Sequence, residues 1–176
     1  MGGAVSLATA ARHPERFARV VVVDPCVMPF EIPREGKVLL TPVVGELLYK
    51  TLVTRTMIDR FFRLHVFGRP ELYRADLVDY WWERMNRPGG RAAMYALMKF
   101  LLRREGLEDA ARRVRTPTLI LWGERDRLFP VEDAPRLGAL VEGSTVEVIP
   151  GCGHTPAEEQ PAGLADRILA WLGRTP

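Results

Sequence analysis

Cysteine is scarce in this chain: Cys26 and Cys152 are the two among 176 residues. Two cysteines do not make a disulfide framework, so a reducing cytoplasmic setting is expected. Histidine is scarce too. His13, His65 and His154 stand at no metal-ligand spacing from one another or from the cysteines, so no metal and no cofactor is implied. No apolar run approaches the ~20 residues that cross a bilayer. The start lacks the basic segment and long apolar stretch of a secretory signal. Neither charge sign dominates, with 25 Lys+Arg against 22 Asp+Glu and a net charge of +3. The basic residues are spread, and the densest spot is ARRVR at 111–115. Nucleic-acid binding needs a basic face, so no nucleic-acid partner is expected. MGGAVS fits the loose myristoylation pattern through Gly2 and Ser6, but reads better as the first turns of a helix, and no membrane partner is expected.

What is present is the composition of a globular domain, 47% hydrophobic and 27% charged, with length enough for a sizeable core. Ala4, Leu7, Ala8 and Ala11 form a helical stripe that His13-Pro14 ends. Val20–Val23 is a continuous β-branched run closed by Asp24-Pro25, the signature of a strand buried on both faces. Residues 27–113 then change character. Val43–Tyr49, Thr54–Leu64, a stretch from Pro70 through Trp82, and Ala92–Arg103 read as helices, with no convincing strand among them. After residue 113 the alternation resumes: strand Thr118–Trp122, helix Ala134–Val141, strand Thr145–Ile149, helix Glu158–Leu172. The last helix directs Leu164, Ile168, Trp171 and Leu172 inward. Strand–helix repetition of this kind predicts an α/β fold with parallel strands and right-handed crossovers.

Two segments carry candidate chemistry. In LILWGERDRLFP, residues 119–130, a buried strand ends and Asp126 follows Gly123 by three residues. In VIPGCGHTP, residues 148–156, a strand ends, Gly151 and Gly153 loosen the loop, and His154 follows. Functional groups in parallel sheets gather beyond the carboxyl ends of strands. Taken singly, Asp126 reads as a turn or helix-cap residue and His154 as an ordinary loop histidine. Taken together they can meet, the carboxylate holding one ring nitrogen and freeing the other as a general base.

At these residues the chain resembles the α/β-hydrolase family. PTLILWGERD and IPGCGHTP are similar to that family's acid and histidine motifs, in the family's order. The resemblance runs through the opening helix and VVVVDP and covers essentially the whole chain, most weakly in the insert. It implies a partial α/β-hydrolase fold of about three parallel strands with flanking helices. Residues 1–26 and 114–176 would form the core, and 27–113 an all-helical lid. Met1-Gly2 resembles the end of the family's G-x-S-x-G turn. The resemblance therefore implies a nucleophile directly before Met1, and a peptide N–H of Met1 in the oxyanion hole. Asp126 and His154 would be the acid and base of a nucleophile–His–acid triad whose nucleophile is missing from this chain. Whether that nucleophile is serine or aspartate stays open.

Other candidates fit less well. Ser6 lies two turns into a helix, and Ser144 precedes a strand at the wrong end of the sheet. Cys152 stands two residues from the base that would have to activate it. Asp24 is expected to make a turn, although some relatives place an acid at that strand end. The family's strand order leaves one edge of Val20–Val23 unpaired, so self-association through it is expected. The insert's aromatic residues suit a small or medium hydrophobic substrate carrying an ester or related bond, or are simply the insert's own packing. Trp81 and Trp82, adjacent on a helix, point about 100° apart. The competing reading is a non-catalytic fragment or interaction module that keeps the fold's C-terminal half.

Overall fold

A computed structural model describes residues 1–29, 37, 41, 43–103 and 106–173. Residues 30–36, 38–40, 42 and 104–105, within the expected insert, and 174–176 lie outside the described residues. Two compact units emerge. The first comprises Met1–Met28, His65–Leu72 and Glu105–Pro176, and the second Pro29–Leu64 and Tyr73–Arg104. Residues 65–72 and the stretch from 105 to 113 thus belong with the sheet, although both fall inside the 27–113 range.

The first unit is built on three parallel strands in the order β1–β2–β3: Val20–Val23, Thr118–Gly123 and Thr145–Ile149. Val20 pairs with Thr118 and Val23 with Leu121, while Leu119 pairs with Thr145 and Gly123 with Ile149. The central strand β2 is buried at every position, which is why its sequence is a bare apolar run without alternation. Its side chains divide between two cores. Ile120 and Trp122 join Ala4, Leu7 and Ala10 of helix α1 (Gly2–Arg12), Val20 and Val22 of β1, and Ala134 and Leu137. Leu119 and Leu121 face the other way and meet Ile149, Cys152, Leu164 and Trp171. Each fully buried aliphatic side chain of this kind contributes about 1.5–3 kcal/mol.

Helices cover both faces. Besides α1, the first core is closed by the helices Leu107–Arg113 and Asp133–Leu140. The second face is closed by the C-terminal helix, Pro161–Leu172. That last element differs from the single helix expected over Glu158–Leu172. It splits into a turn, Pro156–Glu159, and the helix proper, because Pro161 disfavours helical backbone at Gln160. Leu164, Ile168 and Trp171 do pack inward, but Leu172 is exposed: it lies past the last inward position.

The second unit is helical throughout its described residues: Val44–Leu52, Arg55–Phe61, Ala75–Met85 and Gly90–Arg103. Thr54 caps the second of these, its Oγ1 accepting from the Met57 N–H at 3.2 Å. The helix expected from Pro70 through Trp82 is interrupted: Pro70–Leu72 is a short 3₁₀ turn and the α-helix starts only at Ala75. The unit's aromatic residues pack on one another and beneath cations. Tyr49 meets Tyr95 with ring centres 5.6 Å apart, and Phe62 meets Trp81 at 6.3 Å. Arg84 lies over Tyr80 and Arg91 over Trp82.

Candidate active site

The chain leaves β2 at Gly123 and turns at once, the Asp126 N–H donating to the Gly123 carbonyl at 3.2 Å. Asp126 is 7% exposed. Its two oxygens have separate tasks. Oδ1 accepts from the backbone N–H groups of Leu128 at 2.8 Å and Phe129 at 3.0 Å, which fixes the turn. Oδ2 stands 2.8 Å from His154 Nδ1. The turn-forming role and the imidazole-holding role are therefore both real, one on each oxygen. A contact of this length to a carboxylate oxygen favours the tautomer protonated on Nδ1, in which Nε2 is able to accept a proton.

His154 reaches this position because its loop is clamped at several points. Its backbone N–H donates to the Val66 carbonyl at 2.8 Å, and the Arg125 N–H donates to the Cys152 carbonyl at 2.7 Å. Glu159, 6% exposed, accepts from the Gly153 N–H on one carboxyl oxygen at 2.8 Å and from the Gly68 N–H on the other at 2.9 Å. Gly153 does not loosen the loop as expected. A Cβ there would strike the Gly68 N–H, the Val66 carbonyl and Phe67, so glycine is what allows the two backbones to touch. The ring of Phe129 packs edge-on against the His154 ring, with centres 5.0 Å apart and planes at 76°. Phe129 is itself tied to the strand, its carbonyl accepting from Trp122 Nε1 at 3.0 Å. Side-chain exposure is 22% for His154 and 0% for Asp126: the carboxylate is sealed and the imidazole retains an opening.

Asp24 is placed in this site as well. It does turn the chain, with a positive φ of 44° that aspartate tolerates better than most residues. But it is 3% exposed. Its Oδ1 accepts from the Gly123 N–H at 2.8 Å, and its Oδ2 is buried without a hydrogen-bond partner among the described residues. One of its oxygens, one of Asp126's and a ring nitrogen of His154 lie within 4.8 Å of one another. Burial pushes the Asp24 carboxyl up to about 8, the charges of Asp126 and Glu159 adding to burial and the Gly123 N–H opposing it. Neither Asp24 nor Glu159 carries a local motif. The one signal for Asp24 was its place at the end of a buried strand, the same place that singled out Asp126. Glu159 had none, because its two partners are 91 and 6 residues away in sequence.

Of the remaining candidates, Met1 caps α1 and its carbonyl accepts from the N–H groups of Ala4 and Val5. A Cβ on Gly3 would come within 2.8 Å of Pro25 Cβ, so α1 begins hard against the carboxyl end of β1. Met1 therefore lies at the same end of the sheet as Asp126 and His154. Cys152 is buried, and burial, with the charge of Glu159 adding to it, pushes its thiol up to about 11. This is the opposite of an activated nucleophile. Ser144 stands at the start of β3, at the far end of the sheet, where its hydroxyl approaches the Gly138 carbonyl at 3.4 Å. Among the described residues nothing hydrogen-bonds to His154 Nε2. No helix of the described residues is long and apolar enough to cross a membrane.

Comparison with known proteins gives a consistent picture. The family model described as alpha/beta hydrolase family matches residues 1–167. A 2-hydroxy-6-oxo-2,4-heptadienoate hydrolase of Pseudomonas putida is 33% identical over 97% of this chain and 60% of its own length. A monoacylglycerol lipase of Xenopus laevis is 25% identical over 98% of this chain and 52% of its own. Among solved structures, a 2-hydroxy-6-oxo-6-phenylhexa-2,4-dienoate hydrolase of a Rhodococcus species superposes with a TM-score of 0.76 at 20% identity, over 99% of this chain and 62% of that one. The chain thus spans little more than half the length of the proteins it matches.

Proposed function

Because the chain belongs to the alpha/beta hydrolase family, we propose that His154 is the general base and Asp126 the orienting acid of a nucleophile–His–acid triad. The single observation that carries this reading is the 2.8 Å contact between Asp126 Oδ2 and His154 Nδ1 at the carboxyl ends of adjacent strands. In the reaction, Nε2 removes the proton from the nucleophile as it attacks a carbonyl carbon. Asp126 stabilises the imidazolium that forms, and Nε2 then returns the proton to the leaving group. The nucleophile comes from outside these 176 residues, at a position directly before Met1. The Met1 N–H, at the start of α1, serves the oxyanion. Two features support this: the relatives extend well beyond the matched part, and α1 begins at the end of the sheet where Asp126 and His154 meet.

The bond cleaved is an ester or related bond of a small or medium hydrophobic substrate; similarity to a dienoate hydrolase of Pseudomonas putida and a monoacylglycerol lipase of Xenopus laevis supports a substrate of that class. The helical second unit acts as the lid. Its aromatic residues stack on one another and under arginines, so they shape the lid rather than grip the substrate.

The test is to read the in-frame codons upstream of Met1 and express the extended polypeptide beside the 176-residue chain. A G-x-Ser directly before Met1, with p-nitrophenyl ester hydrolysis by the extended form that depends on His154, is the expected result. Unrelated upstream sequence, or turnover indifferent to His154, overturns the reading.

A further inference from the structure

We propose that Asp24 is held as a neutral carboxylic acid beside the Asp126–His154 couple, a positioning residue that keeps a second charged carboxylate from standing against the His154 ring.

Asp24 is almost completely buried. Its backbone N–H donates to the Leu121 carbonyl at 3.0 Å and its Oδ1 accepts from Gly123 at 2.8 Å, so the carboxyl is fixed over the end of β2. The other oxygen has no hydrogen-bond partner among the described residues, and one of the two carboxyl oxygens lies within 4.8 Å of a carboxyl oxygen of Asp126 and a ring nitrogen of His154. A buried carboxylate oxygen that is charged and unpaired costs far more than an unpaired but neutral hydroxyl. The acids acting on Asp24 make charge still less favourable, and His154 in the same cluster opposes them only when its ring is protonated. Asp126 and Glu159 are both acids, and the Cys152 thiol, held high by burial, brings no positive charge.

Which of the two neighbouring acids keeps the proton follows from the hydrogen bonds. Asp126 receives two backbone N–H groups and the imidazole, and hydrogen bonds to the charged form favour it. Asp24 receives one. The proton therefore resides on Asp24, at Oδ2. The upward displacement of its titration to about 8, caused first by burial and then by Asp126 and Glu159, agrees.

The consequence concerns the base. An imidazole between two charged carboxylates is driven toward its protonated form, in which Nε2 cannot accept a proton. A neutral Asp24 leaves a single counter-charge, on Asp126. The charge assignment stands on the geometry alone. Its value to catalysis rests on reading His154 as the base.

The experiment follows Asp24 directly in the ¹³C-labelled 176-residue chain, by the carboxyl resonance linked through bonds to its own backbone. A titration midpoint several units above that of a free aspartate is expected, and a midpoint in the ordinary range overturns the proposal. The second readout is the ring-nitrogen titration of His154 in Asp24→Asn. An unmoved midpoint is expected, because an already neutral group is replaced by a neutral one. A fall of a whole unit or more shows that a charge was removed, and contradicts the proposal. Should the variant fail to fold, the wild-type carboxyl titration decides alone. Neither readout uses turnover, so failure of the hydrolase reading leaves both intact.

Discussion

Asp126 and His154 are 28 residues apart in sequence, yet their side chains meet at 2.8 Å. Parallel pairing of β2 with β3 brings this about: Gly123 and Ile149 are register partners, so the two loops leave the sheet side by side. Each loop then needs only a few residues to bring its side chain over the end of the sheet.

Replacing Asp126 by Asn in a nucleophile-bearing form of the protein keeps the shape but presents an amide to Nδ1. The hydrogen-bond selection of the tautomer is lost, and kcat should fall by roughly 10⁴-fold with KM little changed. Steady-state kinetics on an activated ester checks this. A loss below tenfold would remove Asp126 from the triad.

Glu159 holds two buried N–H groups at once. Glu159→Ala leaves both unsatisfied, at about 1–3 kcal/mol each. Urea unfolding of the 176-residue chain should show a loss of roughly 2–6 kcal/mol on that reckoning, and Glu159→Gln a smaller one. An alanine variant as stable as the parent would mean that the clamp contributes nothing.

The raised titration of Asp24 makes stability depend on pH in a defined direction. Its folded carboxyl titrates near 8 against a reference value of 3.8. The folded state therefore holds a proton that the unfolded state has released across that window. The stabilisation is complete below about pH 4 and declines as pH rises toward 8, with a ceiling of roughly 6 kcal/mol for the whole span. Denaturation midpoints measured from pH 5 to 9 should fall more steeply in the parent than in Asp24→Asn. Parallel curves would contradict this.

The edge of β1 away from β2 has no strand partner among the described residues. Its sequence, four consecutive valines, carries no charge to keep other chains away. Sedimentation of the 176-residue chain is expected to show a concentration-dependent dimer, and a monomer at every concentration would exclude pairing at this edge.

Much of this arrangement was legible in the sequence, and the reasons are local. The β-branched run Val20–Val23 and the apolar run Thr118–Trp122 announce buried parallel strands. Asp126 and His154 could be singled out because each follows such a strand within a few residues. The rest depends on contacts between distant segments. Asp24 looks like a turn residue, and it is one, but only the folded sheet shows its carboxyl facing Asp126. Glu159 reads as an ordinary charge at a helix start until Gly68 is brought beside Gly153. Gly153, read as a source of looseness, is a point of closest packing. The split at Pro161 could have been read from the proline itself.

In the proposed triad Asp126 fixes His154 with its proton on Nδ1 and Nε2 bare. Nitrogen-15 spectroscopy of histidine-labelled chain, recorded where the ring is uncharged, reads the tautomer directly. The account predicts a protonated Nδ1 and an unprotonated Nε2, with that preference lost in Asp126→Asn. A ring protonated on Nε2 in the parent protein would contradict it.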